Sequence, residues 1–424
     1  MIEIGRPFIT KEGNFAYLKA PVKISPDTSA KYLEETGKLE NCSWLTKTDY
    51  PPRVWEDENG GLYFCVEPEY ADYLCTERSN AFVVAFLWYA MLVGSDISFE
   101  APLSKKMYEG ITKKLMPTLQ KRGFKPIQLS GPVSDEALSC RGGIVAGMSC
   151  GVDSFYTLHS YEKPGILDNG RILTHLCFYV GNYILPYVEP PYNVDAVFDE
   201  MDQIYLQYFA NAKKIAEHHN LPVVLVKTNL DRDFYRGGCI YTAMYRYLAC
   251  TLSLEHLYSL YISSSSGHEQ HNIDVSLLVP TQNYEDMLCE SLRTETLKYQ
   301  TSDHTLRFEK IKAIADDPDF QTKAEVCFNQ RLGQKNCGEC FGCHKTMIPL
   351  DFIGKLDRFS ESFDLNKYYS NREEVFEDVI RYSFCPEADS ARDTVRQLLA
   401  FARTEDNETA KCFLKIHERI CGER

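Results

Sequence analysis

Residues 143–160 read Gly143-Ile144-Val145-Ala146-Gly147-Met148-Ser149-Cys150-Gly151-Val152-Asp153-Ser154-Phe155-Tyr156-Thr157-Leu158-His159-Ser160. The apolar Ile144, Val145 and Ala146 predict a short buried strand. A run of small residues follows, and Phe155, Tyr156 and Leu158 then begin a helical pattern. Strand, tight loop and helix N-terminus together form a phosphate-binding geometry. The loop N–H groups converge, and the helix dipole adds roughly half a positive charge. Asp153 and Ser154 also fall where N-cap residues belong. Neither a G-x-x-x-x-G-K-[ST] loop nor a G-x-G-x-x-G turn after a strand is present in the sequence.

Outward from this stretch, residues 136–347 alternate strand and helix patterns. Strands are predicted at 171–183, 221–226 and 259–263, and helices at 198–220 and 240–257. The fold class is therefore α/β, a parallel sheet covered by helices on both faces, with ligands expected where the strand order reverses. The loop after the first of these strands and the polar stretch 263–272 would open onto one crevice. Residues 1–135 are read as a separate N-terminal α+β region. It has strand patterns at 15–18 and 61–66, a turn at 57–61 and an apolar helix at 81–93. The segment 104–122 carries Met107, Ile111, Leu115 and Leu119 on one helix face, with Pro117 set to kink it. All three tryptophans, Trp44, Trp55 and Trp88, lie in this region. Residues 348–424 read as a C-terminal helical region, with Val395, Leu398, Leu399 and Phe401 as its apolar positions.

The chain of 424 residues carries a net charge of −14, which offers no global attraction to nucleic acid or anionic membrane. Its longest apolar run, 81–93, is shorter than the roughly 20 residues of a bilayer span. The first residues lack a signal-peptide pattern, so a cytoplasmic location is expected. In such a reducing compartment, clustering among the 16 cysteines points to metal rather than disulfides. Cys337, Cys340 and Cys343 form C-x-x-C-x-x-C, and Cys327 lies upstream. Four thiolates suit a closed tetrahedral Zn²⁺ site, and Gly338 and Gly342 allow the tight turn. An iron–sulfur cluster of the ferredoxin type would want a further Cys-Pro, where Thr346-Met347 stands.

The pattern Ser149-x-Gly151-x-Asp153-Ser154 resembles the PP-loop of the ATP pyrophosphatase superfamily. Cys150 stands where that family usually has Gly. The Gln321-Thr322-Lys323-Ala324-Glu325-Val326-Cys327 segment and the C-x-x-C-x-x-C that follows resemble those of 7-cyano-7-deazaguanine synthase, the PP-loop enzyme family of the queuosine pathway. The likeness covers about 142–347, so the chain looks like a longer relative. It implies ATP with Mg²⁺, structural Zn²⁺ and carbon–nitrogen ligase chemistry. ATP adenylates a 7-carboxy-7-deazaguanine-like carboxylate with loss of pyrophosphate, and ammonia or an amine then gives amide or nitrile.

By the same likeness, Ser149, Cys150, Gly151, Val152, Asp153 and Ser154 surround pyrophosphate, and Phe178 and Tyr179 meet adenine through their backbone. Asp153 contacts pyrophosphate or serves only as helix cap. Asp153, Ser154 and His268 are the catalytic candidates, with Glu269 and His271 beside the last. Arg307, Lys310, Lys323, Arg232 and Arg236 are candidate partners for phosphate or carboxylate, and the aromatic stretch 183–192 for a purine-like ring. Cys150, at a helix N-terminus, is expected to have a lowered thiol pKa and to be shielded by nucleotide. The alternatives are a synthase-like component of a bacterial antiviral system that modifies a protein, a tRNA-thiolating enzyme and a non-catalytic nucleotide-binding scaffold. A homo-oligomer is expected.

Overall fold

A computed structural model describes residues 1–37, 61–167, 170, 172–181, 194–235, 242–265, 282–303, 305–329, 331–385, 389–404 and 406–422. Its centre is an eight-stranded sheet. In chain order the strands are β1 (Phe8–Glu12), β2 (Phe15–Ala20), β3 (Leu62–Val66), β4 (Gly143–Gly147), β5 (His175–Val180), β6 (Val223–Thr228), β7 (Tyr258–Ser263) and β8 (Lys298–Thr301). Their spatial order is β8-β7-β4-β5-β6-β3-β2-β1. The strands from β8 to β6 run parallel, and β3, β2 and β1 continue the sheet antiparallel. The α/β expectation is met, with a mixed rather than wholly parallel sheet.

Alternation along each strand feeds two cores. Val145 of β4 and Cys177 and Tyr179 of β5 point to one face, whereas Ile144, Ala146, Leu176 and Phe178 point to the other. The first face is covered by α1 (Asn80–Val93), with α4 (Ala243–Leu252) and α5 (Gln282–Ser291). The second is covered by α2 (Val152–Tyr161), α3 (Val194–His218) and α6 (Arg307–Ile314), with the helices of the C-terminal region behind them. Helix α1 is apolar all round because it is buried all round: thirteen of its fourteen residues are inaccessible. It ends on Gly94, whose φ of +72° is the usual left-handed stop.

The N-terminal region does not stand apart. Its strands complete the central sheet across the β6–β3 pair, and α1 packs against α4 as a helical layer of the same core. It also builds a smaller four-stranded sheet from Ile2–Ile4, Val22–Ile24, Ile97–Phe99 and Leu129–Ser130. The predicted 104–122 helix is continuous but contains a π segment, Ile111–Leu115, just ahead of Pro117, and its four apolar positions are fully buried. That segment accommodates the proline without a break. Among the described residues no helix is long and apolar enough to cross a membrane. Trp44, Trp55 and the 57–60 turn lie outside the described residues.

One buried ion pair fastens α4 to the turn after β6. The side chains of Arg246 and Asp231 are 1% and 0% exposed and bond directly. Truncating one partner strands a charge in the core. Arg246→Met is therefore expected to cost about 3–5 kcal/mol. Urea denaturation measures it, and an unchanged midpoint would refute the assignment.

Candidate functional site

The strand order places β7 on one side of β4 and β5 on the other, so the sheet reverses direction of growth at β4 and β7. The loop leaving β4 opens there, at the carboxyl ends of the strands. Met148 N–H donates to the Cys177 carbonyl at 2.8 Å, which extends the strand pairing by one residue. Gly151, not Asp153 or Ser154, is the N-cap of α2, and no side chain caps it. The N–H groups of the first helical turn consequently lack intrahelical acceptors. The Ser154 hydroxyl turns back to the Gly151 carbonyl at 2.9 Å and also accepts from the Ser149 hydroxyl at 3.3 Å.

Asp153 is no cap. Its carboxylate pairs with Lys310 Nζ at 2.9 Å and with Arg307 at 3.2 Å. Burial opposes its ionisation, but the Lys310 and Arg307 charges outweigh burial and hold the carboxyl below the usual range. Lys310 is fully buried and also donates to the Ser265 carbonyl. Arg307 reaches Thr346 Oγ1 at 3.2 Å, whereas its Nε is buried with no hydrogen-bond partner among the described residues. Ser264 Oγ, just past the end of β7, likewise has no partner among the described residues.

Asp153, Arg307 and Ser264 border a cleft of about 330 Å³. Ser149, Gly151, Val152, Asp153, Ser154, Phe178 and Tyr179 all line it, with Ser263 and Ser264 opposite. The pairing of β5 with β4 stops at Cys177, so Phe178 and Tyr179 run on along the cleft wall. Tyr205, Tyr208, Tyr247 and Tyr261 complete an aromatic side. Two lining residues were not singled out as ligands in the sequence. Lys345 projects from α7 (Phe341–Phe352), and burial, with Arg307 adding to it, pushes its ammonium down to about 7. Glu325 accepts from Asn211 at 3.0 Å, and burial pushes its carboxyl up to about 7. Arg307, Lys310 and Lys345 face Asp153, so this corner carries surplus positive charge in a chain of net charge −14.

Cys150 departs from its sequence expectation. Its backbone has φ of +60°, the left-handed region where glycine is the usual occupant, and its side chain is fully buried. The sulfur packs toward the Tyr208 carbonyl at 3.9 Å, away from the cleft, and the Cys150 carbonyl accepts from Glu325 N–H at 2.8 Å. Burial drives the thiol well above an ordinary pKa, the reverse of the helix-terminus effect. The core side of the loop thus tolerates a Cβ at an energetic cost of about 1 kcal/mol. Native-state alkylation of Cys150 is expected to be at least ~100-fold slower than that of the exposed Cys385 and Cys421, and insensitive to Mg-ATP. Mass spectrometry of labelled peptides reads this, and labelling at the pace of Cys385 would contradict the burial.

Cys327, Cys337, Cys340 and Cys343 come together as one cluster. Sulfur separations are 3.9 Å for Cys337–Cys343, 3.9 Å for Cys340–Cys327 and 3.5 Å for Cys340–Cys343. Four thiolates around zinc would lie about 3.8 Å apart, from Zn–S near 2.3 Å. Backbone N–H groups of Phe328, Glu339 and Cys340 point at the sulfurs. Gly338 has φ of +72°, and a Cβ on Gly342 would collide with the Val326 carbonyl. Its donor chemistry suits a metal ion such as zinc, and the cluster adjoins the cleft through Val326, Cys327 and Phe328.

Other candidates fall elsewhere. Lys323 pairs with Asp319, which His218 also contacts, and Arg232 pairs with Asp199 and Asp202 on α3. His268, Glu269, His271, Arg236 and the 183–192 stretch lie outside the described residues. No family model, curated protein or solved structure matches the chain.

Proposed function

We propose that this chain is an ATP-dependent carbon–nitrogen ligase of the PP-loop kind, releasing AMP and pyrophosphate. The observation that carries the reading is the convergence of the Ser149–Gly151–Ser154 loop with Arg307 and Lys345 on one cleft at the reversal of strand order, with Lys310 buried behind Asp153. The donor set fits a polyphosphate: helix-terminal N–H groups, serine hydroxyls, and an Arg307 Nε that is buried without a partner among the described residues. Bound ATP would supply an electrophilic α-phosphorus and a pyrophosphate leaving group. Mg²⁺ would arrive on the phosphates, since Asp153 is already engaged by two cations.

The residues' own work is then electrostatic. The loop N–H groups and Arg307 hold the leaving oxygens as charge gathers on them, and Lys310 keeps Asp153 ionised and fixed. The tyrosine-lined wall favours a flat, purine-like substrate carrying the carboxylate, such as a 7-carboxy-7-deazaguanine-like compound, with ammonia or an amine as nucleophile. The four-cysteine centre would take Zn²⁺ structurally, because four protein thiolates leave no open position. A thiolating enzyme would need a reactive thiol in the cleft; of the cysteines around it, Cys150 and Cys177 are buried and Cys327 belongs to the metal set.

Exchange of labelled pyrophosphate into ATP, with 7-carboxy-7-deazaguanine as trial acceptor, tests the reading alongside calorimetry with Mg-ATP. Binding of Mg-ATP with acceptor-dependent exchange is the expected result. Absence of any Mg-ATP binding at millimolar concentration overturns it.

A further inference from the structure

At the opposite end of the sheet from the cleft lies a second set of metal-ligand residues. Cys75 and Glu77 follow the short helical turn Pro68–Tyr73, and His256 lies just ahead of β7. The ligand atoms of these three residues all lie within 4.8 Å of one another. The backbone holds them in register: Cys75 N–H donates to the Ser253 carbonyl at 3.0 Å, and Arg141 N–H donates to the His256 carbonyl at 2.9 Å.

The imidazole orientation is the informative part. His256 Nδ1 lies 2.8 Å from the Ser139 carbonyl, which can only accept, so Nδ1 carries a proton. The other nitrogen, Nε2, faces Glu77 Oε2 at 3.2 Å. In the neutral ring this sets a nitrogen lone pair against a carboxylate, with the Cys75 sulfur as third donor. A ligating histidine is commonly held in this way, with one nitrogen on a carbonyl and the other on the metal. Protonating the ring would satisfy Glu77 but leave Cys75 without a role. A cation between the three uses every donor.

We infer that Cys75, Glu77 and His256 bind a divalent transition metal of the zinc class, with solvent as fourth ligand. Tetrahedral N and O ligands near 2.0 Å from zinc stand about 3.3 Å apart, close to the observed Nε2–Oε2 separation. Sulfur would stand about 3.5 Å from each, so within the 4.8 Å that bounds the set its separations close by about 1.3 Å at most. Glu77, whose side chain is 51% exposed, has the freedom to do so. Thiolate, imidazole and carboxylate together favour Zn²⁺ over Mg²⁺ or Ca²⁺. With three protein ligands the ion exchanges more readily than one enclosed by four cysteines. Strand β7 separates it from the cleft by about 17 Å, at 3.3 Å per residue. Its place suggests a tether between the N-terminal region and the central strands, independent of what the cleft binds.

The test is Co²⁺ titration of the full-length, zinc-loaded chain, followed by visible absorption and metal analysis. Wild type is expected to take up one further equivalent with ligand-field bands. His256→Ala and Glu77→Gln should each weaken that uptake at least ~100-fold while keeping the four-cysteine zinc. Glu77 is a surface side chain, so its variant remains informative if the histidine variant fails to fold. No additional uptake by wild type, or uptake undiminished in Glu77→Gln, overturns the site.

Discussion

Arg307→Gln is expected to lower the rate of AMP formation by roughly 10²–10³-fold while leaving the chain folded. Among the described residues the guanidinium Nε is buried with its N–H unused, and it lies beside the loop that would hold pyrophosphate. Removing a preorganised charge from such a position costs that much in other sites where negative charge develops. The folding cost should be small, about 1 kcal/mol. Lys310 still neutralises Asp153. Asp153→Asn is the poorer probe, despite its place in the motif. It leaves the fully buried Lys310 and the nearly buried Arg307 without a counter-charge, which should destabilise the fold by about 3 kcal/mol or more. A fall in activity there would mix folding with chemistry. Rates of AMP release for the two variants, each beside a melting curve, separate these effects. Wild-type turnover in Arg307→Gln would remove the cleft from the mechanism.

Cys340→Ser is expected to lose the zinc of the four-cysteine centre and to destabilise the chain by more than about 4 kcal/mol. Metal-binding energy at a structural site is folding energy, and loss of a ligand is among the few single changes with so large an effect. Cys340 lies 3.5 Å and 3.9 Å from two partner sulfurs, and its own sulfur receives the Phe328 N–H. The damage should reach the cleft. Val326, Cys327 and Phe328 form part of its wall, and Glu325 N–H holds the Cys150 carbonyl in the loop. Nucleotide affinity should therefore fall together with zinc content. Elemental analysis and thermal melting with and without chelator read both. Iron in place of zinc, or a variant that melts with wild type, would refute the assignment.

Local patterns in the chain determined a good deal. The strand–loop–helix at 143–160, the alternating elements after it and the cysteine quartet are all encoded within short windows. Periodicity and fixed spacing report them without knowledge of distant partners. The membership of Ser149, Gly151, Phe178 and Tyr179 in one cleft followed from where strands end. Burial and long-range pairing are not local, and there the sequence reading failed. The place of Cys150 at a helix N-terminus predicts a lowered thiol pKa, but the left-handed turn aims the sulfur into the core, where desolvation outweighs the dipole. Asp153 was open to a cap role until Lys310 and Arg307, more than 150 positions away, claimed its carboxylate. Lys345 gave no signal of its own, since only packing of the metal segment against the loop brings it to the cleft. The N-terminal region looked separate because its composition changes near residue 135, yet its strands extend the central sheet. Backbone hydrogen bonding between strands is indifferent to side-chain identity, so that partnership was decided by the tertiary structure alone.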